Sequence, residues 1–507
     1  MDTELQNKEM TNGLDKTKLY RWLLLLVIAA VAICIALKAA SSDSIPGWVS
    51  WETRMEDLVV KNGDSAVTVG KICLAQKNLI VTNLDDDIVF QMDKGIKVQD
   101  FIYTDVDHDG QKELVTLVWK KGKFGKHKPF WIETDETGYS QHIFIYEVHD
   151  EYNAKLTVES TDVTQKWFAS DIGFKVKRMK TLKQNESIIL TESIDGTNTL
   201  WIWKSWGLEA IDNEVKFVAF GDNIIHEAIY QYAGSNEGGS FDFLYEPFKE
   251  EIESADIAAV NAETVLVDNE SMVSGYPSFG SPVSSGQALV SAGFDVISCA
   301  NNHIADKGIG ALDFTRDFYD SNGVTCIGIQ KSTDKAYRGY ELISRNGMTI
   351  ALFSYTYGTN VGDVSKKYSA AVHYLPRNEE EEQYRLNELK DARSKADIVI
   401  VFAHWGDEYS KEVSKAQRRM AQLFAKGGAD VVIGTHPHVV QSVEKLKRPD
   451  GGETVVYYSL GNFRADQGRD EETKIGAEAV VIFEHTYEGS GVKDFQVKEI
   501  NSCWKGN

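Results

Sequence analysis

The residues of this chain that could do chemistry stand at the ends of apolar runs in its second half. Phe217-Val218-Ala219-Phe220 runs into Gly221-Asp222, and Asp256 to Val260 leads to Asn261-Ala262-Glu263. Phe294 to Ala300 leads to Asn301-Asn302-His303, with Asp306 and Gly308 following. Ile398 to Ala403 leads to His404-Trp405-Gly406-Asp407-Glu408, and Asp430 to Gly434 leads to Thr435-His436-Pro437-His438. Thr454 to Tyr458 ends in Ser459-Leu460-Gly461-Asn462-Phe463. In sheets flanked by helices, ligands gather beyond the carboxyl ends of strands, and Asp, Glu, Asn and His are donors for hard or borderline metals. Each residue alone has a structural explanation. Asp222 can cap a helix beginning near Ile224, Asn302 can hold a left-handed turn, and Pro437 suits any tight turn. The conjunction points to a metal centre, because four of the seven histidines after residue 212 (His303, His404, His436 and His438) occupy such ends beside other donors. His226, four residues after Asp222, would lie one helical turn along and could join them. His373 and His485 lack such company and read as surface or structural residues.

These ends need elements to hold them. From about Lys216 the apolar runs alternate with helical stretches such as Glu379 to Lys395 and Lys415 to Lys426, which predicts a layered α/β (α+β) domain over 216–507 with sheet sandwiched by helices. Residues 45–212 differ: strand formers such as Leu79-Ile80-Val81-Thr82 and Ile143-Phe144-Ile145-Tyr146 alternate with turns such as Asn62-Gly63-Asp64 and Asp195-Gly196. That pattern predicts an all-β domain. Within it, Asp105, Asp107 and Asp109 alternate through a loop that turns at Gly110 and reaches Glu113. Alternate carboxylates in a tight loop suit calcium, as a structural ion; a solvated acidic turn is the other reading. Thr116 at the twelfth position excludes an EF-hand. The spacing resembles the D-x-D-x-D-G-x-x-E loops of FG-GAP and VCBS-type repeats, which implies a propeller-like arrangement, although one convincing copy does not establish closure.

The 507 residues exceed what one hydrophobic core usually organises. With 76 acidic against 54 basic residues and a net charge of −22, the chain lacks the positive surplus of a nucleic-acid binder. Five cysteines without C-x-x-C spacing exclude a disulfide scaffold and thiolate clusters. From Trp22 to Leu37 every residue is apolar, preceded by Lys16, Lys18 and Arg21. The run favours an uncleaved anchor over 22–40 rather than a signal peptide cut after Ala39-Ala40-Ser41. The basic flank then keeps residues 1–21 in the cytoplasm and places everything after about Ser41 outside, a single-pass membrane protein.

The motif string over about Lys216 to Phe463 resembles the CapA family, poly-γ-glutamate capsule biosynthesis proteins within the calcineurin-like metallophosphatase superfamily. The resemblance rests on Gly221-Asp222, Tyr245-Glu246-Pro247-Phe248, Asn261-Ala262-Glu263 (usually N-L-E in the family), and Ala300-Asn301-Asn302-His303 with Asp306 and Gly308. It continues through His404-Trp405-Gly406-Asp407-Glu408-Tyr409, Gly434-Thr435-His436-Pro437-His438-Val439-Val440-Gln441 and Tyr458-Ser459-Leu460-Gly461-Asn462-Phe463. It implies an αββα sandwich holding two divalent ions, manganese, iron or zinc, on Asp222, Glu263, Asn302, His404, His436 and His438, with His303 as general acid and Asp306 beside it. The superfamily's opening D-x-H is absent, since Asn223 and Ile224 follow Asp222, which implies either one weakly held metal or His226 as the replacement ligand. The implied role is making, exporting or retaining poly-γ-glutamate beside synthase and export partners. A general phosphoesterase acting on envelope phosphate esters and a non-catalytic scaffold are the alternatives.

Overall fold

In the computed structural model, residues 44–505 are described except 63–64, 127 and 153–157. The expected anchor at 22–40 lies outside the described residues. Among those described, no helix is long and apolar enough to cross a membrane. The chain divides into two compact units, residues 1–181 with 186–197 and 201–209, and the remainder from 182 to 507.

The first unit is built from antiparallel hairpins. Strands Arg54–Asn62, Ser65–Ala75, Asn78–Asn83 and Ile88–Gln91 form one four-stranded sheet in chain order, and Lys97–Thr104, Glu113–Lys121, Tyr139–Tyr152 and Val158–Phe168 form a second. Strands Val176–Thr181, Ile189–Ser193, Asn198–Lys204 and Gly207–Ile211 form a third. The period of two decides the packing. Phe101, Tyr103, Leu114 and Phe144 of the second sheet pack with Leu58, Ile72 and Val81 of the first. Their neighbours Ile102, Val115, Ile143 and Ile145 face Val176, Met179 and Ile189 of the third. The middle sheet is therefore apolar on both faces, which is why its strands read as nearly continuous apolar runs. Three successive up-and-down four-stranded sheets have the strand plan of propeller blades, whose closed forms typically take four to eight; a closed propeller is not formed by these three.

The second unit is built on two large sheets. The first comprises β1 (Glu214–Asn223), β2 (Ile257–Ala262), β3 (Val296–Ser298) and β4 (Thr325–Ile327). The second comprises β5 (Glu341–Arg345), β6 (Met348–Thr356), β7 (Ile398–His404), β8 (Val431–Thr435), β9 (Val443–Lys447) and β10 (Glu453–Tyr457). The short β11 (Asn462–Arg464) pairs with β1, while β12 (Ile475–His485) and β13 (Ser490–Asn501) extend the first sheet to the order β4-β3-β2-β1-β12-β13. The second sheet runs β5-β6-β7-β8-β10-β9. Alternate residues again sort the layers. Phe217, Ala219, Ile257 and Val296 meet Ile350, Leu352, Ile400 and Ile433 between the sheets. Val218, Phe220, Val260 and Ile297 turn outward against α1 (Glu227–Asn236), α2 (Val283–Ala292) and α3 (Gly308–Ser321). Phe353, Val399, Val401 and Val432 turn outward on the other side, against α4 (Glu379–Lys395) and α5 (Lys415–Gly427). The result is helix, sheet, sheet, helix. The helices stop and start where their sequence dictates. Ser414 and Gln417 form a capping box at the start of α5, and Gly428 closes it at φ 100°. Asn378 caps α4, followed by four glutamates in its positive first turn and a lysine and arginine in its last.

Candidate metal centre

The carboxyl ends of β1, β2, β7 and β8 converge. Adjacent parallel strands place Asp222 beside Asn261 and His404 beside Thr435 in register, so residues far apart in sequence become lateral neighbours. Ligand atoms of Glu263, His404 and His436 lie within 4.8 Å of one another, as do those of Asp222, Glu263 and His438 and those of Glu408, His436 and His438. Three overlapping groups sharing Glu263, His436 and His438 make one extended donor set. Asn302 joins it: its Oδ1 is 2.9 Å from Nε2 of His404, which is 3.4 Å from Glu263.

The turn after β8 is shaped for this purpose. Gly434 has no room for a side chain, since a Cβ there would stand 2.0 Å from the Tyr458 carbonyl oxygen. His436 and His438 adopt φ of 96° and 60°, left-handed values that cost of order 1–3 kcal/mol each for non-glycine residues and cluster at functional sites. Asp222 holds them: the His436 backbone N–H donates to its Oδ2 at 3.1 Å, Nδ1 of His438 lies 3.1 Å from the same oxygen, and Asn261 donates to its Oδ1 at 2.8 Å.

The electrostatics favour a cation. Burial pushes Asp222 up, but hydrogen bonding and charge from His438, with Glu263 and Asn261, hold it below the usual carboxylate range. Glu263 goes the other way, raised well above its ordinary value by burial and then by the neighbouring Asp222. Neither Glu263 oxygen has a hydrogen-bond partner, although the residue is fully buried. Nδ1 of His436 is also buried without a partner. An unmatched buried carboxylate costs several kcal/mol. Burial and neighbouring histidines hold His436 down to about 3 and His404 well below its usual value. Both rings are thus neutral at physiological pH, the form that donates a lone pair to a metal. Carboxylate, amide and imidazole donors around an unbalanced carboxylate could hold a metal ion.

The structure brings together Asp222, Glu263, Asn302, His404, His436 and His438. His303 lies beside them and is held through Nδ1, 2.7 Å from Oδ2 of Asp306; the Phe279 backbone N–H donates to that oxygen at 2.8 Å and the Phe279 ring packs on the imidazole at 4.7 Å. The expected helical position of His226 is corrected. Asp222 lies in β1, which ends at Asn223, and α1 starts at Glu227 with His226 as its N-cap. Nδ1 of His226 accepts from the Asp466 backbone N–H at 3.0 Å, and the residue is outside all three donor groups. His373 and His485 are buried at 4% and 1% exposure, structural rather than surface residues. In the first unit, Asp105, Asp107 and Glu113 converge within 4.8 Å. Asp109 does not join them; its Oδ1 accepts from the Gln111 backbone at 2.7 Å. The Lys166 ammonium stands among these acids, 2.6 Å from Asp107, 3.1 Å from Glu113 and 3.3 Å from Glu147.

Sequence reasoning missed Glu408 as a donor and missed Tyr357 and Asn360. Glu408 lies four residues after His404, a spacing that could have suggested it. Tyr357 packs against His436 at 4.7 Å, and Asn360 Nδ2 lies 3.2 Å from Nδ1 of His303. Both follow β6, whose run Ile350 to Phe353 into Ser354-Tyr355-Thr356 carries the same signal as the other six strand ends.

Residues 216–467 match the family model of the bacterial capsule synthesis protein PGA_cap. The PGA biosynthesis protein CapA of Bacillus subtilis is 33% identical over 182 residues, which is 36% of this chain and 45% of that protein. The capsule biosynthesis protein CapA of Bacillus anthracis is 32% identical over 184 residues, 36% of this chain and 43% of that one. The matched stretch thus spans less than half the length of either relative. Among solved structures, a phosphatase from Mycoplasma pneumoniae is similar at 17% identity and a TM-score of 0.34, covering 57% of this chain and 95% of that one. The calcineurin-like phosphoesterase YfkN of Bacillus subtilis is similar at 14% identity and a TM-score of 0.33, covering 57% and 91%.

Proposed function

We propose that this chain, which belongs through residues 216–467 to the CapA family of bacterial capsule synthesis proteins, is a membrane-anchored extracellular protein of capsule or cell-envelope polymer biosynthesis or export, acting on poly-γ-glutamate or a related anionic polymer through a metal-dependent hydrolase-type site. The observation that carries the site is Glu263, fully buried between Asp222, His404 and His438 with neither oxygen matched. Asp222, Glu263, Asn302, His404, His436 and His438 would hold the metals, with Glu408 at the rim. Once bound, a divalent pair supplies Lewis-acid polarisation of a phosphoryl or carbonyl oxygen and lowers the pKa of water.

The remaining chemistry belongs to this chain. Asp306 accepts a hydrogen bond from the Nδ1–H of His303 at 2.7 Å, which fixes the tautomer and leaves Nε2 to hold and deliver a proton to the leaving group. The Phe279 ring meets the imidazole at right angles, and its backbone N–H holds the Asp306 carboxylate in place. Tyr357 covers His436 and shields that side of the donor set from water.

The test has two steps. Elemental analysis of the purified chain should find about two transition-metal equivalents, lost in a His436→Ala, His438→Ala double variant. Cells lacking the protein should then lose surface polymer, and Glu263→Gln should fail to restore it. Restoration by Glu263→Gln would make the protein a scaffold. Polymer retained in cells that lose only a phosphomonoesterase activity would assign it to envelope phosphate esters instead.

A further inference from the structure

The mouth of the donor set carries a guanidinium that the reading above does not use. After β7 the chain turns at Gly406 and brings Tyr409 back at φ 63°, and the Tyr409 backbone N–H donates to the Pro437 carbonyl at 2.7 Å. That bond ties the Tyr409 loop to the turn bearing His436 and His438, and the Tyr409 ring lies 5.8 Å from the His438 ring. A second loop, after β11, lays Arg469 over this ring, Cζ 4.0 Å from its centroid. The placement is built. Asn462 donates to Gln467 at 3.0 Å, Thr473 donates to the Gln467 carbonyl at 2.7 Å, and Lys411 of the Tyr409 loop pairs with Glu472 at 2.5 Å.

Arg469 has no carboxylate partner among the described residues. Its acidic neighbours are committed elsewhere: Asp470 caps the turn at Glu472 and Thr473, Glu471 pairs with Lys474, and Glu472 pairs with Lys411. In a chain with 76 acids and 54 bases, a guanidinium left unmatched one ring away from the donor set has a role in binding. Stacking on an aromatic face fixes the plane of the guanidinium, which also hydrogen-bonds Tyr409, and leaves its remaining edge donors for a planar or tetrahedral oxyanion. Glu408, the residue before Tyr409, puts an exposed carboxylate at the same mouth, grouped with His436 and His438. It repels anionic groups from its own side.

We propose that Arg469 on the Tyr409 ring is the arm that grips a second oxyanionic group of the substrate, carboxylate or phosphoryl, while the first reacts at the metal centre. The proposal rests on the metal-centre reading and narrows its substrates to molecules with two anionic groups, such as a unit of an acidic polymer. The test is calorimetric titration of the full, manganese-loaded protein with three probes of matched chain length: propylphosphonate, 4-phosphonobutyrate and propane-1,3-diphosphonate. Wild type should bind at least one of the two-anion probes about tenfold more tightly than propylphosphonate, and which one tells carboxylate from phosphoryl. Arg469→Ala should bring that ratio close to one, and Arg469→Lys, which keeps the charge but loses the fork, should retain part of it. A stacking role confined to structure would lower the melting temperature without moving the ratio. A wild-type ratio of one, or a ratio unchanged in Arg469→Ala, overturns the proposal while leaving the metal centre intact. Failure of wild type to load manganese or bind propylphosphonate overturns the metal centre and this proposal with it.

Discussion

Single residues carry most of the argument, and their chemistry was uneven in how far the sequence displayed it. Asp222, Glu263, His404, His436 and His438 stand where an apolar run stops, because a parallel strand must deliver its last side chains to one edge of the sheet. Sequence order therefore maps onto the site. Glu408 is different: it is exposed on a loop, its spacing from His404 is the one signal it carries, and only the fold brings His436 and His438 to it. Lys166 is hidden for the same reason, since it meets Asp107 and Glu113 only through strand pairing. His373, which the sequence left as surface or structural, is structural: it is buried, with Nε2 3.2 Å from Gln330 and its ring against Tyr337 at 4.5 Å. Burial, with Arg385, Arg316 and Arg338 nearby, lowers its pKa to about 3. The folded state thus resists a proton that the unfolded chain accepts near 6.5. Its contribution to stability is complete above pH 6.5 and is lost as pH falls toward 3, at about 1.4 kcal/mol per unit. Chemical denaturation of wild type and His373→Gln between pH 7 and 4.5 should show a shallower loss for the variant by about that slope. Parallel curves would remove His373 as a source of acid sensitivity.

At the scale of elements, the two half-chains announced themselves by period: alternation and turns for the first, strand-then-helix for the second. The sequence could not show how many sheets the second unit contains. An apolar run on a doubly covered strand has no polar face to reveal its partners, so β2, β7 and β8 look alike although β2 and the other two belong to different sheets. β6 was passed over for that reason. The contacts between elements near the site are close enough to depend on glycine. Gly434 lets β8 pass the chain at Tyr458, and Trp405 Nε1 donates to that same Tyr458 carbonyl at 2.9 Å. Gly434→Ala would put a methyl group 2.0 Å from this oxygen. The overpacking should cost about 3 kcal/mol, lowering the melting temperature by roughly 5–10 °C. It should also weaken metal loading, because the displaced strand carries His436 and His438. Thermal melting and metal content of the variant check this together. A destabilised protein that still holds its full metal complement would show that the turn is positioned by Asp222 rather than by the strand.

For the whole molecule, the net charge of −22 and the apolar run Trp22 to Leu37 pull in different directions. The acidic surplus keeps residues after 44 apart from anionic polymer and lipid unless a specific group such as Arg469 or a bridging cation intervenes. The apolar run, in contrast, favours permanent attachment. Each unit has a core of its own among the described residues, with Leu58, Phe101 and Phe144 in one and Phe217, Ile350 and Phe402 in the other. A chain lacking residues 22–40 should therefore fold, and attachment should be lost without loss of structure. In alkaline carbonate extraction of expressing cells, the full chain should stay in the membrane pellet and the deletion should move to the supernatant with an unchanged melting temperature. The N-terminal sequence of the pelleted protein should begin at or next to Met1. A start close to Ser42, with the protein in the supernatant, would show that the run is a cleaved leader. Interaction with the envelope would then have to come from the folded units themselves.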